Sequence, residues 1–286
     1  MGAISPIVGI SKIINQYSTI VVGFDGVLYD GKMFNYAAIN ALAKAKSLGK
    51  NVVLLSNSDM TIKQVIQLLK KNNIPLRIFS LIMTAGEIVY SLLLKNQRYK
   101  ALGKNYFCLG SQKDVPILKS IGYNDVSDIN RAEFVFVGGC CDENDSMEEY
   151  KDIMQIASSL RLQMLCVGND IYTHINGKVC VSSGAFAEQY AMMGGKINTV
   201  GKPDLSILRY VLEPFSQNKE GLIVIGDNMQ TDIKMANLYD SDSVLVTQGI
   251  HKEILGDGYI PDVQKVKELA ADYGVYPKYL ISELRW

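Results

Sequence analysis

The sequence predicts an α/β protein: a doubly wound parallel sheet with a second α/β domain inserted into it. Three observations carry this. Short all-apolar runs such as Ile20-Val21-Val22 and Leu222-Ile223-Val224-Ile225 recur along the chain, and strands buried on both faces read that way. Segments with apolar residues at helical spacing separate them. The 286 residues are long for one compact core and suit two domains.

The first strand, Thr19 to Val22, runs into an acidic, Gly-rich turn, Gly23-Phe24-Asp25-Gly26-Val27-Leu28-Tyr29-Asp30-Gly31. An Ala-rich helix is expected from Asn35 to Leu48, closed by Gly49. A strand follows at Val52 to Leu55. Ile62, Val65, Ile66 and Leu69 then recur at helical spacing, and Ile74-Pro75 ends that element. The middle of the chain offers strands at Tyr106 to Leu109, Phe134 to Val137, Met164 to Val167 and Ile171 to Ile175. A long helix is expected from Ser146 to Leu160, and another from about Ser183, closed near Gly194-Gly195. The last part returns to the first pattern. It has a helix at Leu205 to Val211, strands at Leu222 to Ile225 and Ser243 to Thr247, and a helix marked by Val263, Val266 and Leu269. Tyr279 to Trp286 closes the chain. Residues 1–80 and 200–286 are therefore expected to form one domain, and 81–199 the inserted one.

Composition excludes several classes. Lysine plus arginine equals aspartate plus glutamate at 29 each, and no basic cluster marks a nucleic-acid footprint. Only His174 and His251 are present, too few for a His-rich metal cluster. The five cysteines, Cys108, Cys140, Cys141, Cys166 and Cys180, show no Cys-x-x-Cys spacing. With no secretory leader this reads as a reduced, cytoplasmic protein. Pro6 breaks the myristoylation pattern, and no uncharged apolar run is long enough to span a bilayer. No membrane partner is expected.

Four motifs carry chemistry. The first is the strand and turn around Gly23 and Asp25. The second is Asn51-Val52-Val53-Leu54-Leu55-Ser56-Asn57-Ser58, a strand ending in hydroxyls. The third is Gly201-Lys202-Pro203-Asp204. The fourth is Leu222-Ile223-Val224-Ile225-Gly226-Asp227-Asn228-Met229-Gln230-Thr231-Asp232-Ile233, a strand ending in acids. Each alone is weak. A Gly-Lys-Pro is usually a turn with an exposed lysine, and Ser56-Asn57-Ser58 serves equally as a strand end and helix cap. In this order, each at a strand end, they resemble the haloacid-dehalogenase-like phosphatases, and the run Gly-Asp-x-x-x-Thr-Asp-Ile resembles their class IIA branch. The resemblance covers nearly the whole chain. It implies that the inserted domain is the α/β cap of that branch, and that the site lies beyond the carboxyl ends of the strands.

It also implies residue roles. Ser56 would donate its hydroxyl to a phosphate, Asn57 would add its backbone N–H, and Lys202 would supply a point charge. Asp227 would hold Mg²⁺, with the Asp25 carbonyl and, less directly, Asp232 beside it. The Asp25 side chain would exchange a proton with the leaving group. In the family, the first acid of Asp-x-Asp-Gly attacks phosphorus. Here that position is Gly23, which has no side chain to act as a nucleophile or to ligate a metal. Asp30 lies beyond the turn and is a poor substitute. The expected function is therefore a phosphatase-like protein that binds a phosphorylated small molecule with little or no hydrolysis. Two alternatives stand beside it. One is a working Mg²⁺-dependent phosphomonoester hydrolase, either altered at Gly23 or using water directly. The other is a non-catalytic interaction module.

Overall fold

A computed structural model describes residues 4–110, 116–138, 146–215 and 219–286. The strands along the described chain are β1 (Ser5–Pro6), β2 (Thr19–Val22), β3 (Asn51–Ser56), β4 (Leu81–Thr84), β5 (Asn105–Leu109), β6 (Asn124–Asp125), β7 (Phe134–Val137), β8 (Gln163–Val167), β9 (Tyr172–Ile175), β10 (Lys178–Val181), β11 (Lys196–Val200), β12 (Leu222–Gly226), β13 (Asp242–Val246) and β14 (Tyr279–Ile281). The chain divides into two compact units. One comprises Met1–Ser56, Lys63–Met83 and Lys202–Trp286, and the other Asn57–Ile62 and Thr84–Gly201.

The first unit is built on a sheet in the order β1-β14-β13-β12-β2-β3-β4. β12 pairs in parallel with β2 and β13, and β2 in parallel with β3. Crossovers between parallel strands need intervening helices, and those helices bury both faces. Every residue of β2 and β12 is accordingly buried. Fully burying a Val, Leu or Ile side chain is worth about 1.5–3 kcal/mol, so these central strands hold the unit together. Register places Val22 opposite Ile225 and opposite Leu54. β2 ends at Val22, β3 at Ser56 and β12 at Gly226, so all three parallel strands finish at the same end of the sheet.

The helix Tyr36–Ser47 buries Ala38, Ile39, Ala41, Leu42 and Ala45, and Asn35 caps it through the N–H of Ala38 at 3.1 Å. Asp204 and Asp262 cap the helices Leu205–Leu212 and Val263–Tyr273 in the same way. β1 lies ahead of Thr19 to Val22, the first strand expected from the sequence. It pairs with β14 through Ser5 and Pro6. Two ladder residues, one of them proline at a sheet edge, leave no periodicity to read.

The second unit carries the sheet β11-β8-β7-β5-β6, with parallel pairs throughout, and a separate antiparallel hairpin, β9 and β10. Asn176 and Gly177 turn that hairpin with φ of 52° and 80°, the left-handed pair that matches strand twist. Phe186 and Tyr190 of the helix Ser183–Met192 pack with Val135, Val137, Met154 and Met164. The Tyr190 hydroxyl donates to the Leu162 carbonyl at 2.7 Å, so the ring is buried without stranding its polar end.

The helix expected from Ser146 to Leu160 opens instead as a 3₁₀ turn, Met147–Tyr150, and becomes α-helical at Lys151–Ser159. Residues 57–62 cluster with the second unit rather than with the first, where the sequence reading put them. The Thr84 hydroxyl donates to the Met60 carbonyl at 2.5 Å, the Ile62 N–H to Glu87 at 3.1 Å, and the Gly86 N–H to the Ser58 carbonyl at 3.0 Å. Cys108, Cys166 and Cys180 remain thiols. Cys140 and Cys141 lie outside the described residues. No helix among the described residues is long and apolar enough to cross a membrane.

Candidate functional site

Gly23 follows β2 directly and continues its ladder, its N–H donating to the Ile225 carbonyl at 2.9 Å. It is buried. A Cβ built on it would meet Asp232 Oδ1 at 3.5 Å, the Ile225 carbonyl oxygen at 3.7 Å and Val27 Cγ2 at 3.7 Å. These are ordinary van der Waals distances, and Gly23 is absent from the positive-φ residues. The backbone here accepts a Cβ without strain, and a side chain would point toward Asp232.

Two neighbouring glycines behave differently. A Cβ on Gly26, whose φ is 72°, would overlap the Asp227 carboxylate, and one on Gly226 would overlap the side chain of Asp232. Both are fixed by conformation or close approach. Only Gly23 of these three is a glycine that the fold does not require.

Asp25 lies two residues further along the same turn and is partly exposed. Its Oδ2 accepts the Ser56 hydroxyl at 3.1 Å, which ties the end of β3 to the turn after β2. Asp30 is spent locally, since its Oδ1 accepts the N–H groups of Lys32 at 2.8 Å and Met33 at 2.6 Å.

The chain after β12 makes a π turn at Met229–Ile233, entered through the Asn228 side chain. Such insertions often sit at functional positions because they re-aim a side chain. Here the turn brings Asp232 back beneath Gly226. Lys202 Nζ donates to Asp232 Oδ1 at 2.7 Å, with both residues at 5% exposure or less. The Asn228 N–H reaches Asp232 Oδ2 at 3.4 Å. Asp227, also buried, accepts the Ile250 N–H on Oδ2 at 2.8 Å.

Asp25, Ser56, Lys202, Asp227 and Asp232 are thus drawn together with Gly23 in the first unit. Asn57 falls in the second unit, where its side-chain oxygen lies against Gly201 and its carbonyl against Gly168.

His251 was not singled out in sequence. It is buried, and its Nε2 accepts the Met229 N–H at 3.2 Å at the entry to the π turn. Burial pushes its pKa down to about 4, so it stays neutral and keeps its acceptor. A lone histidine in a loop has no spacing that would reveal this.

Haloacid-dehalogenase-like phosphatases generally use Mg²⁺. Among the described residues, no three His, Cys, Asp or Glu side chains group so as to hold a metal ion. Asp227 Oδ2 and both carboxylate oxygens of Asp232 are already engaged, and residue 23 contributes none. These side chains do not make a Mg²⁺ cage, and no chemical step is assigned to the metal.

A parallel α/β sheet whose chain is interrupted by a second α/β unit is the arrangement of a haloacid-dehalogenase-like fold. Family models agree. One for haloacid dehalogenase-like hydrolases matches residues 20–124, and one for HAD-hydrolase-like proteins matches residues 199–275. The chain is 23% identical to the sugar-phosphatase AraL of Bacillus subtilis (strain 168), over 85% of this chain and 88% of that protein. A haloacid dehalogenase-like hydrolase from Brucella suis 1330 superposes with a TM-score of 0.78 at 22% identity, covering 96% of this chain and 98% of that one. A possible sugar phosphatase from Cytophaga hutchinsonii gives 0.74 at 16% identity, with 98% of each chain covered. The chain belongs to the haloacid-dehalogenase-like superfamily.

Proposed function

We propose that this protein binds a phosphorylated small molecule at the carboxyl edge of β2, β3 and β12 and hydrolyses phosphomonoesters slowly or not at all. One observation carries the reading. Gly23 occupies a position whose backbone accepts a side chain and whose side-chain direction leads to Asp232, yet it offers no nucleophile. In this reading the Lys202 ammonium, and the Ser56 hydroxyl once turned from Asp25, would donate to a phosphate, and Asp25 would supply a carboxylate for proton transfer. The name of the Bacillus relative makes a sugar phosphate one ligand to try.

The test has two arms. Calorimetric titration with orthophosphate, in Mg²⁺-containing buffer, should show binding that Lys202→Gln weakens. Turnover of p-nitrophenyl phosphate should be near background for the protein as it stands and should rise in Gly23→Asp. Robust turnover with Gly23 in place, abolished by Asp25→Asn, would overturn the reading in favour of direct attack by water.

A further inference from the structure

We infer that a basic helical face of the first unit is a docking surface for a second copy of this chain. What it receives is the acidic start of the helix Lys151–Ser159 in the second unit of that copy.

The order of the sheet builds the basic face. β2, β3 and β4 are neighbours in chain order, and the helices Tyr36–Ser47 and Ile62–Lys71 make the crossovers between them. Right-handed crossovers taken in one direction lay their helices on one face. The Tyr36 hydroxyl donates to the Asn72 carbonyl at 3.3 Å and ties the start of the first helix to the end of the second. From Gly31 to Gly86 the sequence holds eight lysines and arginines against one acid, Asp59, which falls in the second unit. These basic residues are scattered along the sequence and the two crossovers gather them. Lys44, Lys63, Lys70, Lys71 and Arg77 are exposed, and none makes an ion pair among the described residues. Like charges held on one face without counter-charges repel one another, and an acidic surface relieves that.

The complementary surface is on the same chain. Glu148, Glu149 and Asp152 lie in the 3₁₀ turn Met147–Tyr150 and the first turn of the helix after it, and all three are exposed. Lys151 meets Glu148 at 3.3 Å, while Glu149 and Asp152 make no ion pair among the described residues. Asp152, Ile156 and Leu160 stand at four-residue spacing and are all exposed, so one stripe runs from acid to apolar. The basic face repeats that order, with Lys44 followed four residues on by the exposed Leu48. Lysine against carboxylate and leucine against Ile156 and Leu160 is a match that a nucleic acid, with no aliphatic stripe, does not offer. The chain carries no net charge, so whole-molecule repulsion does not keep copies apart. A two-fold pair makes the contact twice, the first unit of each copy against the second unit of the other.

Sedimentation velocity of the full chain tests this at about 20 mM and about 500 mM NaCl, on either side of the salt at which exposed charges are screened beyond about 10 Å. The mass should be that of a dimer at low salt and of a monomer at high salt. The double variants Lys70→Glu/Lys71→Glu and Glu149→Lys/Asp152→Lys should each weaken association at low salt by more than about tenfold, because like charges then face each other. Mixed in equal amounts, they should associate again, since both contacts regain opposite charges. All four positions are exposed, and melting temperatures confirm that the variants fold. A parent that is monomeric at both salts, a dimer indifferent to salt, variants that stay dimeric, or variants that do not restore each other overturns the inference. A monomeric parent retained on heparin, with retention lost in Lys70→Glu/Lys71→Glu, also overturns it and assigns the face to a polyanion.

Discussion

Lys202 and Asp232, 30 residues apart in sequence, form an ion pair of 2.7 Å with almost no access to solvent. The pair joins the residue that opens the last core segment to the π turn after β12. Removing one partner leaves the other charge buried without compensation, at a cost of about 3–5 kcal/mol. Asp232→Ala should therefore lower the midpoint of urea unfolding sharply. Asp232→Asn keeps an acceptor and should lose less.

The glycines around the site should separate by substitution. Gly23→Ala should change stability by no more than about 1 kcal/mol, because the position is unstrained and open to a Cβ. Gly226→Ala should be severely destabilising, since its Cβ would overlap Asp232. Thermal unfolding of the two variants, purified in parallel, checks the contrast.

Gly23→Asp should strengthen Mg²⁺ binding, because it adds a charged oxygen ligand in the turn that also contains Gly26, packed against Asp227. Calorimetric titration with Mg²⁺ measures this directly. Equal affinity in the two proteins would show that residue 23 does not face the metal position.

His251 should make stability fall in mild acid. Its folded pKa of about 4 lies below the unfolded value near 6.5. Between those values the unfolded chain binds a proton that the folded chain refuses, so stability drops as pH falls from 6.5 toward 4 and levels below that. The contribution is up to about 3 kcal/mol at 1.36 kcal/mol per unit. In His251→Gln, the loss of unfolding free energy between pH 7 and pH 4.5 should be smaller than in the parent protein.

Thr84 closes the second unit on residues 57–62. Its hydroxyl donates to the Met60 carbonyl and accepts the Glu87 N–H at 3.0 Å, capping the helix Ala85–Lys95. Thr84→Ala should cost about 1 kcal/mol, the ordinary loss for an N-cap. Hydrogen exchange should quicken at Glu87.

Much of this was legible in sequence where burial imposes a pattern. β2, β3 and β12 are wholly apolar at their centres, and each is followed by the residues whose chemistry marked it. The motif at Gly23 and Asp25 could be read because its neighbours are intact. The geometry that gives those residues meaning was not legible. Whether Gly23 is required by the backbone depends on Asp232, 209 residues away, and on a π turn that has no sequence period. β4 is only half buried and the helix Ala85–Lys95 follows it with no loop, so neither announced itself. The allocation of residues 57–62 turned on three hydrogen bonds from residues 84–87 and the segment's own backbone, which composition does not encode.

The edge ladder between β1 and β14 has a consequence for synthesis. Ser5 finds its partner Tyr279 only after about 270 further residues have been made. At a translation rate of 5–20 residues per second, the first strand leaves the ribosome on the order of 10–50 s before its neighbour exists. β2 can meet β3 early, but β12, its other neighbour, also comes late. Throughout that interval the nascent chain holds apolar strands with an open edge, while the intervening second unit can complete its own sheet. The dependence of this fold on chaperones should therefore fall on its first-made residues, and a slowed ribosome should lengthen their exposure.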